Sequence, residues 1–114
     1  MKRPELNKWI DDNYDIIARA HLIKGEKEKA LEIFQYLVRT LDYPDAQAWS
    51  NAWMARTYMA MDDRVRANNT LIKAAQIDRV DDPAVRAYVY QVYADFHLKN
   101  GDVEAAIGML EKAL

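Results

Sequence analysis

Trp49, Trp53 and Arg56 stand four and three residues apart, a spacing that puts all three on one face of a helix. Tryptophan and arginine are the residue types that most often dominate binding energy at protein interfaces, so the chemistry they suggest is recognition. Side chains that could carry a reaction are isolated. His21 and His97 are the two histidines of the chain, and a lone histidine is a weak metal signal. The acidic pairs Asp11-Asp12, Asp62-Asp63 and Asp81-Asp82 are expected at helix starts or turns, where carboxylates satisfy free backbone N–H groups. No EF-hand spacing, Gly-rich phosphate loop or serine-centred motif occurs. With no cysteine there is no thiol nucleophile, thiolate ligand or disulfide. The sequence predicts no catalytic residue, no metal, no cofactor and no enzymatic activity.

The chain must supply elements that hold such a recognition surface. Its 114 residues suit one domain with a modest core, and 51% hydrophobic against 30% charged residues is the balance of a folded protein. A net charge of −2 gives no global attraction to nucleic acid or anionic membrane. Lys24, Lys27 and Lys29 cluster, but Glu26 and Glu28 interleave with them, as on a solvated helix start. The opening residues turn acidic where a signal peptide would be apolar, and no apolar run nears the roughly 20 residues that span a bilayer. The expected partners are proteins or peptides, and the expected compartment is the cytoplasm.

Periodicity predicts six helices and no strand. Pro4 opens the first, whose apolar stripe is Ile10, Tyr14, Ile17, Ala18 and His21, and Lys24-Gly25 ends it. The second covers about 27–41, with Ala30, Leu31, Phe34, Leu37, Val38 and Leu41 inward. After the Pro44 turn, the third covers about 46–61 and the fourth about 64–79. Pro83 starts the fifth, which runs to about Lys99. Asn100-Gly101-Asp102 combines a helix stop with an N-cap, and a sixth helix follows over about 104–114.

The helices group in pairs that repeat. Ala30, Ala67 and Ala106 recur at intervals of 37 and 39 residues, and each is preceded twelve residues earlier by another alanine, at Ala18, Ala55 and Ala94. Small residues at matched places on two helices let the backbones approach closely, so a constant spacing predicts a constant hairpin geometry.

On these residues the chain resembles the tetratricopeptide repeat family over nearly its whole length. Tyr14, Ile17-Ala18, His21, Ala30 and Phe34 form one copy of its pattern. Asn51, Met54-Ala55, Tyr58, Ala67, Leu71 and Ala74 form the second, and Tyr90, Tyr93-Ala94, His97, Ala106, Leu110 and Ala113 the third. His21 and His97 thereby fall at a position where the family packs an aromatic inside the hairpin. The family's usual period is about 34 residues. Here the period is longer, Pro44 and Pro83 come later than the family's proline, and the second hairpin lacks its turn glycine. The resemblance implies an all-α, right-handed α-solenoid of three helix-turn-helix repeats, with boundaries near 5–43, 44–81 and 82–114.

In that family function lies in a concave groove lined by the first helix of each pair. Carried over by position, the groove would present Asp12, Asp15, Ile16, Arg19 and Ile23 from the first repeat. The second would contribute Trp49, Ala52, Trp53, Arg56 and Met59, and the third Tyr88, Gln91, Val92, Asp95 and Lys99. The resemblance thus implies a peptide or partner helix lying across Trp49, Trp53 and Tyr88, flanked by Asp15 and Gln91 and oriented by Arg19, Arg56 and Asp95. Packing of Trp53 between hairpins is the structural alternative. The family's clamp for a partner's C-terminal carboxylate is not expected, because its positions hold Asp15, Arg19, Trp53, Tyr88 and Val92.

A self-associating scaffold is the competing expectation. Ile107, Met109, Leu110 and Leu114 exceed what one hairpin can cover, so that face would meet a second copy in a homodimer, meet a partner, or belong to a designed or excised repeat segment. At the other end, Trp9 and Ile10 extend the first helix and would cover that terminus or widen the groove.

Overall fold

The computed structural model describes the backbone of residues 4–114 and the side chains of residues 12–114. The described residues form six helices: α1 (Pro4–Ile23), α2 (Lys27–Thr40), α3 (Pro44–Ala60), α4 (Arg64–Ala75), α5 (Pro83–Lys99) and α6 (Val103–Ala113). There is no strand among the described residues. The helices form three consecutive hairpins, α1–α2, α3–α4 and α5–α6.

The three hairpin turns share one geometry. Gly25, Asp62 and Gly101 take positive φ values of 86°, 57° and 79°. Each is followed by a residue whose N–H reaches back to the carbonyl five positions earlier: Glu26 to His21 at 2.9 Å, Asp63 to Tyr58 at 2.9 Å and Asp102 to His97 at 2.8 Å. Together with the Gly25, Asp62 and Gly101 amides bonded to Leu22, Met59 and Leu98, this is the Schellman termination of a helix. Asp62 supplies the left-handed residue in the second hairpin, which lacks a turn glycine, because aspartate tolerates this conformation better than most L-residues. The Asp63 and Asp102 side chains then cap α4 and α6 by accepting from the Arg66 and Ala105 amides.

Close helix approach within each hairpin follows from the alanine pairs. Ala18 with Ala30, Ala55 with Ala67 and Ala94 with Ala106 are all buried. Between hairpins, α2 packs on α3 and α4 on α5, while α3 also touches both α1 and α5. One apolar cluster centres on Leu71, Val92 and Phe96, and a second on Phe34 and Leu37; Met54 packs against both. Among the described residues the helices of the first hairpin do not pack on α5 or α6, so the outer hairpins are joined through the middle one. The molecule measures 48 × 31 × 18 Å.

Several local expectations change. Helix α3 starts at Pro44 rather than Ala46, because proline fits the first helical turn, where its missing N–H has no partner to lose. Helix α4 stops at Ala75 rather than Arg79: Gln76 caps it, Arg79 turns to φ 65°, and Val80 folds back into the core. Helix α2 ends at Thr40, and α6 spans Val103–Ala113. Asp12 lies within α1, not at its start. Tyr14 and Ile17, expected inward, are 40% and 45% exposed because, among the described residues, α1 packs on α2 and α3 alone. The Trp9, Ile10 and Asp11 side chains lie outside the described residues. Among those described, no helix is long and apolar enough to cross a membrane.

Candidate functional site

The first helices of the hairpins bring Trp49, Trp53 and Tyr88 together, and α2 adds Phe34. Trp53 lies between Phe34 and Tyr88, with ring centres 6.2 and 5.7 Å away and planes within 16° and 29° of parallel. Trp49 closes the group at 4.8 Å from Tyr88 and 6.2 Å from Trp53. The stack therefore takes one ring from each outer hairpin and two from the middle one, and Trp53 serves as the spacer between Phe34 and Tyr88. Rings at these separations gain dispersion and quadrupole attraction beyond simple area burial.

Two arginines bracket the stack. The Arg19 guanidinium carbon sits 5.8 Å from the Trp49 ring centre and 5.5 Å from that of Trp53, within cation–π range. Arg56 lies 5.7 Å from Trp53. Its Nε donates to the Tyr88 hydroxyl at 2.8 Å, so it meets Tyr88 at the hydroxyl edge. Each arginine also has a carboxylate: Arg19 pairs with Asp15 at 3.1 Å, and Arg56 lies 3.9 Å from Asp95, which Lys99 approaches to 3.3 Å. Asp15 accepts from the Trp49 indole N–H at 3.1 Å as well.

Burial sets the electrostatics. The Asp15 carboxyl is pushed above the ordinary aspartate range by desolvation, against the opposing pull of the Trp49 N–H and of Arg19. Burial likewise raises the Tyr88 phenol, with the positive charge of Arg56 acting the other way. The Trp53 indole nitrogen and the Arg19 Nε are buried without a hydrogen-bond partner, enclosed by the rings they pack against.

Asp15, Arg19, Trp49, Trp53, Arg56, Tyr88 and Asp95 thus form one connected group, whose arginines and aspartates are engaged with each other. Gln91 stands exposed. Two positions carried over by the resemblance do not line a groove: Ala52 and Val92 are both 0% exposed, because α3 packs directly on α1 and α5 there. Ile16 and Ile23 are 56% and 86% exposed on α1. His21 lies 3.4 Å from Glu26, and His97 stacks on Tyr93 at 5.0 Å. No group of three or more ligating side chains is placed to hold a metal among the described residues.

A cavity of about 560 Å³ opens at the loop end of the stack, sharing Asp15 and Trp49 with it. Asp12, Asp45, Asp81 and Asp82 bring its aspartates to five, Leu37, Leu41 and Val85 supply apolar wall, and no lysine or arginine lines it among the residues whose side chains are described. Asp45 is fixed by the backbone: its two carboxylate oxygens accept from the Asp81 and Asp82 amides at 2.8 and 3.0 Å. Sequence reasoning missed this cavity and Asp45. Asp81 and Asp82 were visible as turn residues, but nothing local links them to a carboxylate at the start of α3.

On the face of α6, Ile107, Leu110 and Leu114 are 44%, 43% and 105% exposed, and Met109 is half-buried. Comparison with family models, curated proteins and solved structures finds no match.

Proposed function

We propose that the protein is a non-enzymatic protein-binding module of tetratricopeptide-like character, its hairpins wound as a short right-handed solenoid. Its partner is an extended segment that places a lysine or arginine side chain in the acidic cavity beside Trp49. The observation that carries this reading is the cavity itself: five aspartates and no cation among its described lining residues, with an indole and aliphatic side chains as walls. Such a site favours a cationic head on an apolar stem, since the stem packs on the walls while the charge meets carboxylates and the indole face. Arg19 and Arg56 are bound to aromatic rings and aspartates, so their role is to hold the platform beneath the partner.

Selection from a random peptide display library tests the reading. Peptides enriched in lysine or arginine are expected, and the combined Asp12→Asn and Asp81→Asn variant should lose them. Enrichment of acidic or purely apolar peptides, or capture indifferent to that variant, would refute it.

A further inference from the structure

The interface between successive hairpins is built twice within the chain from equivalent positions. Four residues after the repeated alanine lie Phe34 in α2 and Leu71 in α4, and both are fully buried. One residue after the first of these alanines, Leu31 packs against the cluster built on α3, α4 and α5. On the receiving side, the residue before the other repeated alanine is Met54 in α3 and Tyr93 in α5. Met54 packs on the cluster that holds Phe34, and Tyr93 on the one that holds Leu71.

The same register continues into α1 and α6, where no described helix covers it. In α6 it places Leu110 at the Phe34 and Leu71 position and Ile107 at that of Leu31, yet these are 43% and 44% exposed. In α1 it places Ile17 at the Met54 and Tyr93 position, 45% exposed, with Tyr14 40% exposed one turn earlier. One half of a known interface therefore stands open on α6 and the other half on α1.

We infer that copies of this chain associate head to tail, with Ile107 and Leu110 of one copy packing on Tyr14 and Ile17 of the next as α2 packs on α3 and α4 on α5. Such a contact joins two different surfaces, so each copy keeps one free end and the association is open rather than closed at a dimer. The occupant is a second copy because it carries both halves in the register the chain already uses twice. This inference does not depend on the acidic cavity, which lies elsewhere.

Light scattering after size exclusion, over a wide concentration range, reads the prediction. The wild-type mass should climb past that of a dimer without a plateau. Ile17→Glu and Leu110→Glu should each be monomeric alone, yet their equimolar mixture should form a two-chain species and nothing larger, since each retains the half the other lacks. Tyr14→Glu and Ile107→Glu form a second pair that should behave identically, with helicity by circular dichroism confirming that all four are folded. A wild-type chain that is monomeric throughout would overturn the inference. So would a dimer abolished by Leu110→Glu but untouched by Ile17→Glu, because that pattern marks a symmetric α6 contact.

Discussion

Arg56 of α3 donates from Nε to the hydroxyl of Tyr88 on α5 at 2.8 Å, linking the second hairpin to the third at the centre of the aromatic stack. The bond joins a charged donor to a half-buried phenol, so its loss should register in stability. Tyr88→Phe is expected to cost about 1 kcal/mol, and Arg56→Ala about 2 kcal/mol because the contact with Trp53 goes too. Urea denaturation of both single variants and the double variant checks this; additive losses would show that the pair is not coupled.

Asp62 holds a left-handed conformation that Gly25 and Gly101 occupy at the equivalent turns. Asp62→Gly should raise stability by about 0.5–1 kcal/mol, and Gly101→Ala should lower it by about 1 kcal/mol. Thermal melts of the two variants should therefore move in opposite directions.

Asp45 secures the segment between α4 and α5 through the Asp81 and Asp82 amides. Asp45→Ala should cost about 1 kcal/mol and speed hydrogen exchange at those two amides while leaving the turn at Gly101 protected. Unchanged exchange at residues 81 and 82 would show that the clasp does not form in solution.

Burial raises the Asp15 carboxyl, so the group favours folding most below its unfolded range, and that contribution is lost as pH rises through the folded value. Asp15→Asn should accordingly be close to neutral in stability at neutral pH, because an amide oxygen can still accept from Trp49. Asp15→Ala should cost about 1–3 kcal/mol by leaving the N–H of half-buried Trp49 without its carboxylate. Affinity for a lysine-bearing peptide should fall as pH drops through the Asp15 titration, and should lose that pH dependence in Asp15→Asn. Calorimetric titration at several pH values measures it.

Glu26 behaves in the opposite sense. Hydrogen bonds from Lys29, Lys24 and His21 lower its carboxyl from the ordinary 4.5 to about 2. Its contribution is present above the unfolded value and lost as pH falls toward about 2. The difference in urea midpoint between wild type and Glu26→Gln should be small and salt-sensitive at neutral pH, and should vanish at the acid end of that window.

The helices and hairpins were legible because their signals are local. Gly25 and Gly101 mark turns, Pro83 marks a start, and the repeated alanines give the register. Asp62-Asp63 could be placed at a helix start or turn, but which aspartate turns left-handed and which caps α4 was opaque, and only backbone geometry separates the two roles. Trp49, Trp53 and Arg56 announce one helical face, and Tyr88 could be matched to it through the repeat. Whether Arg56 reaches Tyr88 and Asp95 or projects toward a partner depends on how α3 sits against α5, which no local pattern encodes. The same holds for Asp45, whose hydrogen-bond partner Asp81 is 36 residues away. The early end of α4 was missed because Ile77 and Val80 continue an apolar pattern while packing from an irregular segment.

Since, among the described residues, the first and third hairpins are joined through the second, a load applied at the two ends of the described chain would pass through the hairpins in series. Tension would peel α1–α2 or α5–α6 from the row while the remaining pairs held, giving stepwise extension rather than one global rupture. The α3–α4 hairpin is the link whose failure parts everything else, and it also carries Trp49, Trp53 and Arg56. Strain reaching the middle of the row would thus register first in the aromatic stack.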